Sequence, residues 1–166
     1  MYIPTIKTPL VPPQLVIPQE GMKILLVEDE PEVQRAFVRE LKGELLKRAM
    51  NIKVITANDA PAALRLYRAD PENIQGILSD IDMPTVDGIH DGFALYHALR
   101  RSPPTSNPIF YGPIILWTGR PEAHQVVAEE LIVDGQTAFK KKPCSMSAII
   151  DTFFTLWDGN YSPPRS

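Results

Sequence analysis

Five short apolar runs alternate with stretches of helical periodicity between residues 23 and 157, and this alternation constrains the fold more than any other feature. KILLV at 23–27 is an unbroken apolar run, the signature of a strand buried on both faces. IKVIT at 52–56 is rich in β-branched residues, which suit a pleated surface. GILSD at 76–80, PIILWT at 113–118 and QTAFKK at 136–141 complete the predicted strands. Pro31 opens a first helix in which Val33, Phe37, Leu41 and Leu45 recur every four residues on one face. Asn58 or Asp59 caps a second, with Pro61 in its first turn and Ala62 to Tyr67 as its body. A third runs from Asp91 to Arg101 with Leu95 and Leu99 inward, a fourth from Pro121 to Val133, and a fifth from Met146 to Trp157. Five strand–helix alternations predict an α/β, doubly wound parallel sheet covered by helices on both faces.

The chain's 166 residues suit one domain over 22–158, preceded by a proline-rich extension at 1–21 and followed by a tail at 159–166. Prolines at 4, 9, 12, 13 and 18 make the extension extended or polyproline-like. The segment reads as a disordered tail; the alternative is an arm that lies on its own domain or on a partner, including a second copy in a homodimer, since Ile3, Ile6, Leu10, Val11, Leu15, Val16 and Ile17 are very apolar for a purely solvated tail. A formal net charge of −3 gives no global field for nucleic acid or anionic membrane. Cys144 is the single cysteine, which excludes an internal disulfide and fits a reducing compartment. No apolar run approaches the roughly 18 residues of a membrane helix. The proline-interrupted start MYIPTIKTPLVPP is not a signal peptide. The expected location is cytoplasmic.

In such a sheet the ligand crevice lies outside the carboxyl ends of the strands. The first strand ends in Glu28, Asp29 and Glu30, the third in Asp80 and Asp82, the fourth in Thr118, and the fifth in Lys142-Pro143. Clustered carboxylates repel one another unless a cation joins them, and hard oxygen ligands suit Mg²⁺, with Mn²⁺ as a substitute. A lysine adds a point charge for phosphate. A carboxylate surrounded by a metal, a lysine and a lone hydroxyl is a phosphoryl-transfer site with an aspartyl nucleophile.

The segments VEDE (27–30), LSDIDMP (78–84), WTGR (117–120) and KKP (141–143), each at a predicted strand end, resemble the receiver domains of two-component response regulators over about residues 22–157. The resemblance implies a flavodoxin-like (βα)5 fold with strand order 2-1-3-4-5. It implies that Asp80 is the phosphoacceptor and that Asp29 is the direct Mg²⁺ carboxylate, with Glu28 reaching the metal through water. The backbone carbonyl of Asp82 would be the remaining ligand. Thr118 matches the switch hydroxyl, Lys142 the family's lysine with Pro143 in cis, and Phe139 the switch aromatic. The implied function is a signalling phosphoacceptor of the stand-alone type, catalysing only its own phosphorylation and dephosphorylation. Its expected partners are a histidine kinase or histidine phosphotransfer protein and a downstream protein, with no direct contact to nucleic acid. The face expected to change is that of the fourth helix, fifth strand and fifth helix.

Several positions depart from the family pattern. Asp-Gly occurs at 87–88 and again at 91–92; the second copy fits the helix start, which implies an insertion of about four residues beside the site. SPPTSNPIFYG at 102–112 enlarges the opposite rim, where Phe110 and Tyr111 could meet the arm. Phe139 replaces the commoner tyrosine. Asp82 and Arg120 lie two residues after the acceptor and the switch threonine; they are either two solvated charges or a pair across the site that prolongs the phosphorylated state. Cys144, His97, His124, Trp117 and Trp157 read as packing or ordinary helix positions, and His90 as a weak phosphate contact at most. Two rival readings remain. Asp80-Ile81-Asp82 resembles the Asp-x-Asp of haloacid-dehalogenase-type phosphatases, although Met83-Pro84 follows it. The domain could also be a pseudo-receiver that binds partners without phosphorylation.

Overall fold

Each apolar run becomes a parallel strand, and helices from both sides supply the cover that such a strand requires. The structure is a computed structural model that describes residues 21–83, 91–100, 108–120 and 136–159. In chain order these form β1 (Lys23–Val27), α1 (Pro31–Lys47), β2 (Lys53–Ala57), α2 (Ala60–Ala69), β3 (Ile74–Asp80), α3 (Asp91–Arg100), β4 (Ile114–Thr118), β5 (Thr137–Lys141) and α4 (Met146–Gly159). The helix expected over 121–133, the arm, the inserted loop at 85–90 with His90, and the tail beyond 159 lie outside the described residues. The helix read as fifth in the sequence is therefore α4.

The sheet is five-stranded and parallel throughout, in the order β2-β1-β3-β4-β5. This is the expected flavodoxin-like topology. Ile24 and Leu26 face one side of β1 and Leu25 and Val27 the other, so the strand's two-residue period feeds two separate cores. Leu41 and Leu45 of α1 and Ile149 and Phe153 of α4 close one core; Ala63, Leu64 and Tyr67 of α2 and Leu95 and Leu99 of α3 close the other. Trp117 and Trp157 are both buried, as expected for apolar bulk, and half-buried Cys144 packs beside the α1/α4 layer.

Local chemistry sets the element ends. Asp59, rather than Asn58, caps α2, its carboxylate accepting the Ala62 amide at 2.7 Å. Helix α3 begins at Asp91, so the second Asp-Gly does open the helix. Strand β3 starts at Ile74, two residues before the apolar run suggested. Gln75 separates Ile74 from the run and hides that start in the sequence, and Gly76 has a packing role. A Cβ there would lie 3.0 Å from the Phe153 ring, so the absent side chain is what lets Phe153 pack on the strand. Phe110 is core: it is buried and meets Tyr67 edge-on, with ring centroids 5.5 Å apart.

Register brings the carboxyl ends level. Val27 pairs with both Ala57 and Ser79, Asp80 with Trp117, and Thr118 with Lys141. The residues that follow these positions must therefore converge at one rim.

Candidate functional site

Asp80 closes β3, and Glu28 follows β1 directly, so adjacent parallel strands deliver two buried carboxylates to the same place. Half-buried Asp29 joins them. One carboxylate oxygen from each of Glu28, Asp29 and Asp80 lies within 4.8 Å of the others. Lys142, one residue beyond β5, places its Nζ 3.4 Å from Asp80 Oδ2 and 3.7 Å from Glu28 Oε2. Its own amide donates to the Thr118 carbonyl at 2.8 Å, and the Lys142–Pro143 peptide is cis, as expected.

The backbone holds this group in place. The Ile81 amide donates to the Trp117 carbonyl at 3.0 Å, and the Asp82 amide to Asp80 Oδ1 at 3.1 Å. The Glu30 amide donates to Glu28 Oε1 at 3.2 Å. Gln34, in the first turn of α1, spans the ends of β1 and β2. Its Nε2 donates to the Glu28 carbonyl at 3.0 Å, the Ala57 carbonyl at 3.2 Å and Asn58 Oδ1 at 3.0 Å. The sequence reading missed Gln34. Its one signal was an amide side chain just inside a helix that opens beside two strand ends.

Electrostatics make the cluster unfavourable as it stands. Burial, then the neighbouring Asp80 charge, push the Glu28 carboxyl up to about 7. Burial also raises Asp80, against the opposing pull of Lys142. Glu28 is 1% exposed, and its Oε2 makes no hydrogen bond. An unsatisfied buried carboxylate oxygen beside two further carboxylates and a single lysine fits a small, hard dication with oxygen preference. Glu28, Asp29 and Asp80 are the side chains placed to hold it.

A second layer lies over the rim. The buried Thr118 hydroxyl donates to Asp82 Oδ2 and accepts the Arg120 amide at 3.0 Å. The Arg120 guanidinium donates to Asp82 Oδ1 at 2.7 Å, so of the two sequence alternatives the structure has the pair. The Asp82 side chain therefore serves Thr118 and Arg120. Phe139 sits half-buried on β5, opposite Leu116, against the α2/α3 layer. His97 is an exposed position of α3, and Lys141 is the solvated end of β5.

Residues 24–154 match the family model described as response regulator receiver domain. No curated protein matches the chain. Among solved structures, a response regulator receiver domain protein from Clostridium thermocellum is 17% identical, with a TM-score of 0.58 over 84% of this chain and 94% of that one. A chain of the CheA3 P1 domain–CheY6 complex from R. sphaeroides is 19% identical, with a TM-score of 0.58 over 84% and 99%. A chain of the Saccharomyces cerevisiae co-crystal structure of the histidine phosphotransfer signaling protein Ypd1 and the receiver domain of the downstream response regulator Ssk1 is 18% identical, with a TM-score of 0.56 over 84% and 89%. These likenesses establish the fold, and the family model spans most of the chain. On that match, the chain belongs to the response regulator receiver domain family.

Proposed function

We propose that this domain accepts a phosphoryl group on Asp80 from a histidine of a kinase or phosphotransfer protein, and that the modification switches a protein-interaction surface. The observation that carries this reading is the Asp80 carboxylate: buried at a strand end, within ion-pair distance of Lys142, and grouped with Glu28 and Asp29. Complexes of similar folds with a phosphotransfer protein and with a P1 domain support the choice of partner.

An Asp80 oxygen attacks the donor's phosphorus. The new O–P bond forms as the donor N–P bond breaks, and the departing imidazole keeps the electron pair. Lys142 supplies positive charge beside the attacking carboxylate and the incoming oxygens. Mg²⁺ held by Glu28, Asp29 and Asp80, with the Asp82 carbonyl as a further ligand, would neutralise carboxylate charge and polarise the phosphoryl group. Thr118 leaves Asp82 and donates to a phosphoryl oxygen, and Phe139 turns into the space released. This is a local charge change biasing a two-state element. The reading assigns no turnover of an external substrate. Among the described residues no helix is long and apolar enough to cross a membrane.

Intact-mass measurement after incubation with acetyl phosphate and Mg²⁺ tests the reading. One added phosphoryl group is expected in the wild type, abolished by Asp80→Asn and by chelation. Its absence from a Mg²⁺-binding wild type, also after incubation with a phosphorylated phosphotransfer protein, would favour a phosphorylation-independent interaction module. Steady hydrolysis of a small phosphoester would favour the phosphatase.

A further inference from the structure

The Lys142 ammonium has two chemically different kinds of neighbour. The Asp80 and Glu28 carboxylates lie at 3.4 and 3.7 Å. Two aromatic rings are also near: Nζ is 4.9 Å from the Trp117 ring centroid and 5.9 Å from that of Phe37. Both distances fall within the reach of a cation–π attraction. The rings also support each other, with centroids 4.2 Å apart and planes tilted by 55°. Trp117 is buried, and the Lys142 side chain is only 25% exposed, so water screens the contact weakly.

We propose that Trp117, backed by Phe37, is a positioning residue that holds the Lys142 ammonium beside Asp80 as the carboxylates change state. The inference rests on the phosphoacceptor reading and deepens it. A carboxylate that binds a cation, or becomes an acyl phosphate, attracts the lysine less or differently. A ring face attracts it equally in every state. A lysine stem has large rotamer freedom, so an attraction that persists through the reaction keeps the ammonium from searching. The indole is well placed for this. Trp117 pairs directly with Asp80 across β3 and β4, and its carbonyl accepts the Ile81 amide, so ring and acceptor hang from hydrogen-bonded neighbouring strands. Phe37, from α1, packs against the indole and borders the same ammonium. An aliphatic residue at 117 would fill the same core without attracting a cation.

The test uses the full chain and three variants: Trp117→Phe, Trp117→Leu and Phe37→Leu. Three quantities are measured: the phosphorylation rate with acetyl phosphate at saturating Mg²⁺ by intact mass, Mg²⁺ affinity by calorimetry, and the NMR shift of the Lys142 ε-methylene protons. Trp117→Leu is expected to slow phosphorylation about 3- to 30-fold, the range that loss of one cation–π contact implies. Its Mg²⁺ affinity should hold, and Trp117→Phe should recover most of the rate. The wild-type ε-methylene protons should sit upfield from ring currents, with and without Mg²⁺, and return to ordinary positions in Trp117→Leu. If Trp117→Leu does not fold, Phe37→Leu serves alone, with an expected drop of about twofold and a partial downfield return. A folded leucine variant with the wild-type rate, equal losses in Trp117→Phe and Trp117→Leu, or no upfield shift in the wild type would overturn the proposal. If the wild type itself takes no phosphoryl group, the phosphoacceptor reading fails, while the proton shifts still report on the ring contact.

Discussion

Arg120 pairs with Asp82 at 2.7 Å, and the other oxygen of the same carboxylate accepts the Thr118 hydroxyl. One acidic side chain thus restrains both the Arg120 cation and the hydroxyl proposed to reach a phosphoryl group. Arg120 is 72% exposed, so the pair contributes little to stability, on the order of 0–1 kcal/mol. A pair that covers the approach of water to Asp80 would act on rates instead. Arg120→Ala should therefore leave the melting temperature nearly unchanged and hasten loss of the phosphoryl group several-fold. A time course of intact mass after removal of acetyl phosphate measures this, and an unchanged decay would sink the idea.

The Glu28 carboxyl gives the metal-free domain a pH dependence of defined sign. Burial and the Asp80 charge raise it from an ordinary 4.5 to about 7. A carboxyl raised in the folded state takes up a proton on folding. Its contribution is then fully present below pH 4.5 and is lost as pH rises to about 7. At about 1.4 kcal/mol for each unit, the loss is on the order of 3 kcal/mol. Melting temperatures in chelator should fall between pH 5 and pH 8, and Glu28→Gln should flatten that fall while weakening Mg²⁺ binding. Added Mg²⁺ should stabilise the wild type more at pH 8 than at pH 5.5, since the ion competes with the proton for Glu28. A wild-type profile as flat as that of the glutamine variant would contradict the assignment.

What the sequence revealed divides along physical lines. Glu28, Asp80, Thr118 and Lys142 were legible because each ends or follows an apolar run, and parallel strands bring such ends together whatever the loops do. The start of β3 was hidden because polar Gln75 separates Ile74 from the run, next to Gly76 where Phe153 needs room. The contact of Lys142 with Phe37 and Trp117 was illegible for a different reason. Both aromatics read as core positions, and which ring a flexible ammonium meets depends on rotamers and register. Gln34 and Arg100 belong with these: most of their partners are backbone carbonyls, and every residue has one of those.

Gly92 should tolerate no side chain. A Cβ there would stand 2.5 Å from the Asp80 carbonyl oxygen and 3.0 Å from the Ile81 Cα, and the Gly92 amide donates to the Ile81 carbonyl at 3.0 Å. The first turn of α3 thus leans on the backbone that carries Asp80, and backbone cannot swing aside. Gly92→Ala should cost about 1–3 kcal/mol and slow phosphorylation by displacing Asp80. Gly43, in α1, is the control: a Cβ there meets nothing within 4 Å, so Gly43→Ala should stabilise by roughly 0.5–1 kcal/mol. Thermal melts and phosphorylation rates of the two variants separate close approach from general glycine effects; equal changes in both would remove the special role of Gly92.

Arg100 tests whether the amino-terminal rim is independent of the chemistry. It is 5% exposed and donates to the Phe110 carbonyl at 2.5 Å, the Gln136 carbonyl at 3.1 Å and the Thr137 hydroxyl at 3.3 Å. Its guanidinium also lies 5.5 Å from the Phe110 ring and 5.8 Å from that of Tyr96. One planar fork thus joins the end of α3, the segment before β4 and the start of β5. Lysine keeps the charge but cannot reproduce the fork. Arg100→Lys should therefore lose about 2–4 kcal/mol, since hydrogen bonds from a charged donor to buried acceptors are among the stronger ones. The carboxylates at the opposite strand ends should be unaffected, so the phosphorylation rate below the melting transition should match the wild type. A rate that falls along with stability would mean that β5 transmits strain from its first residue to Lys142, and the two rims would have to be treated as one device.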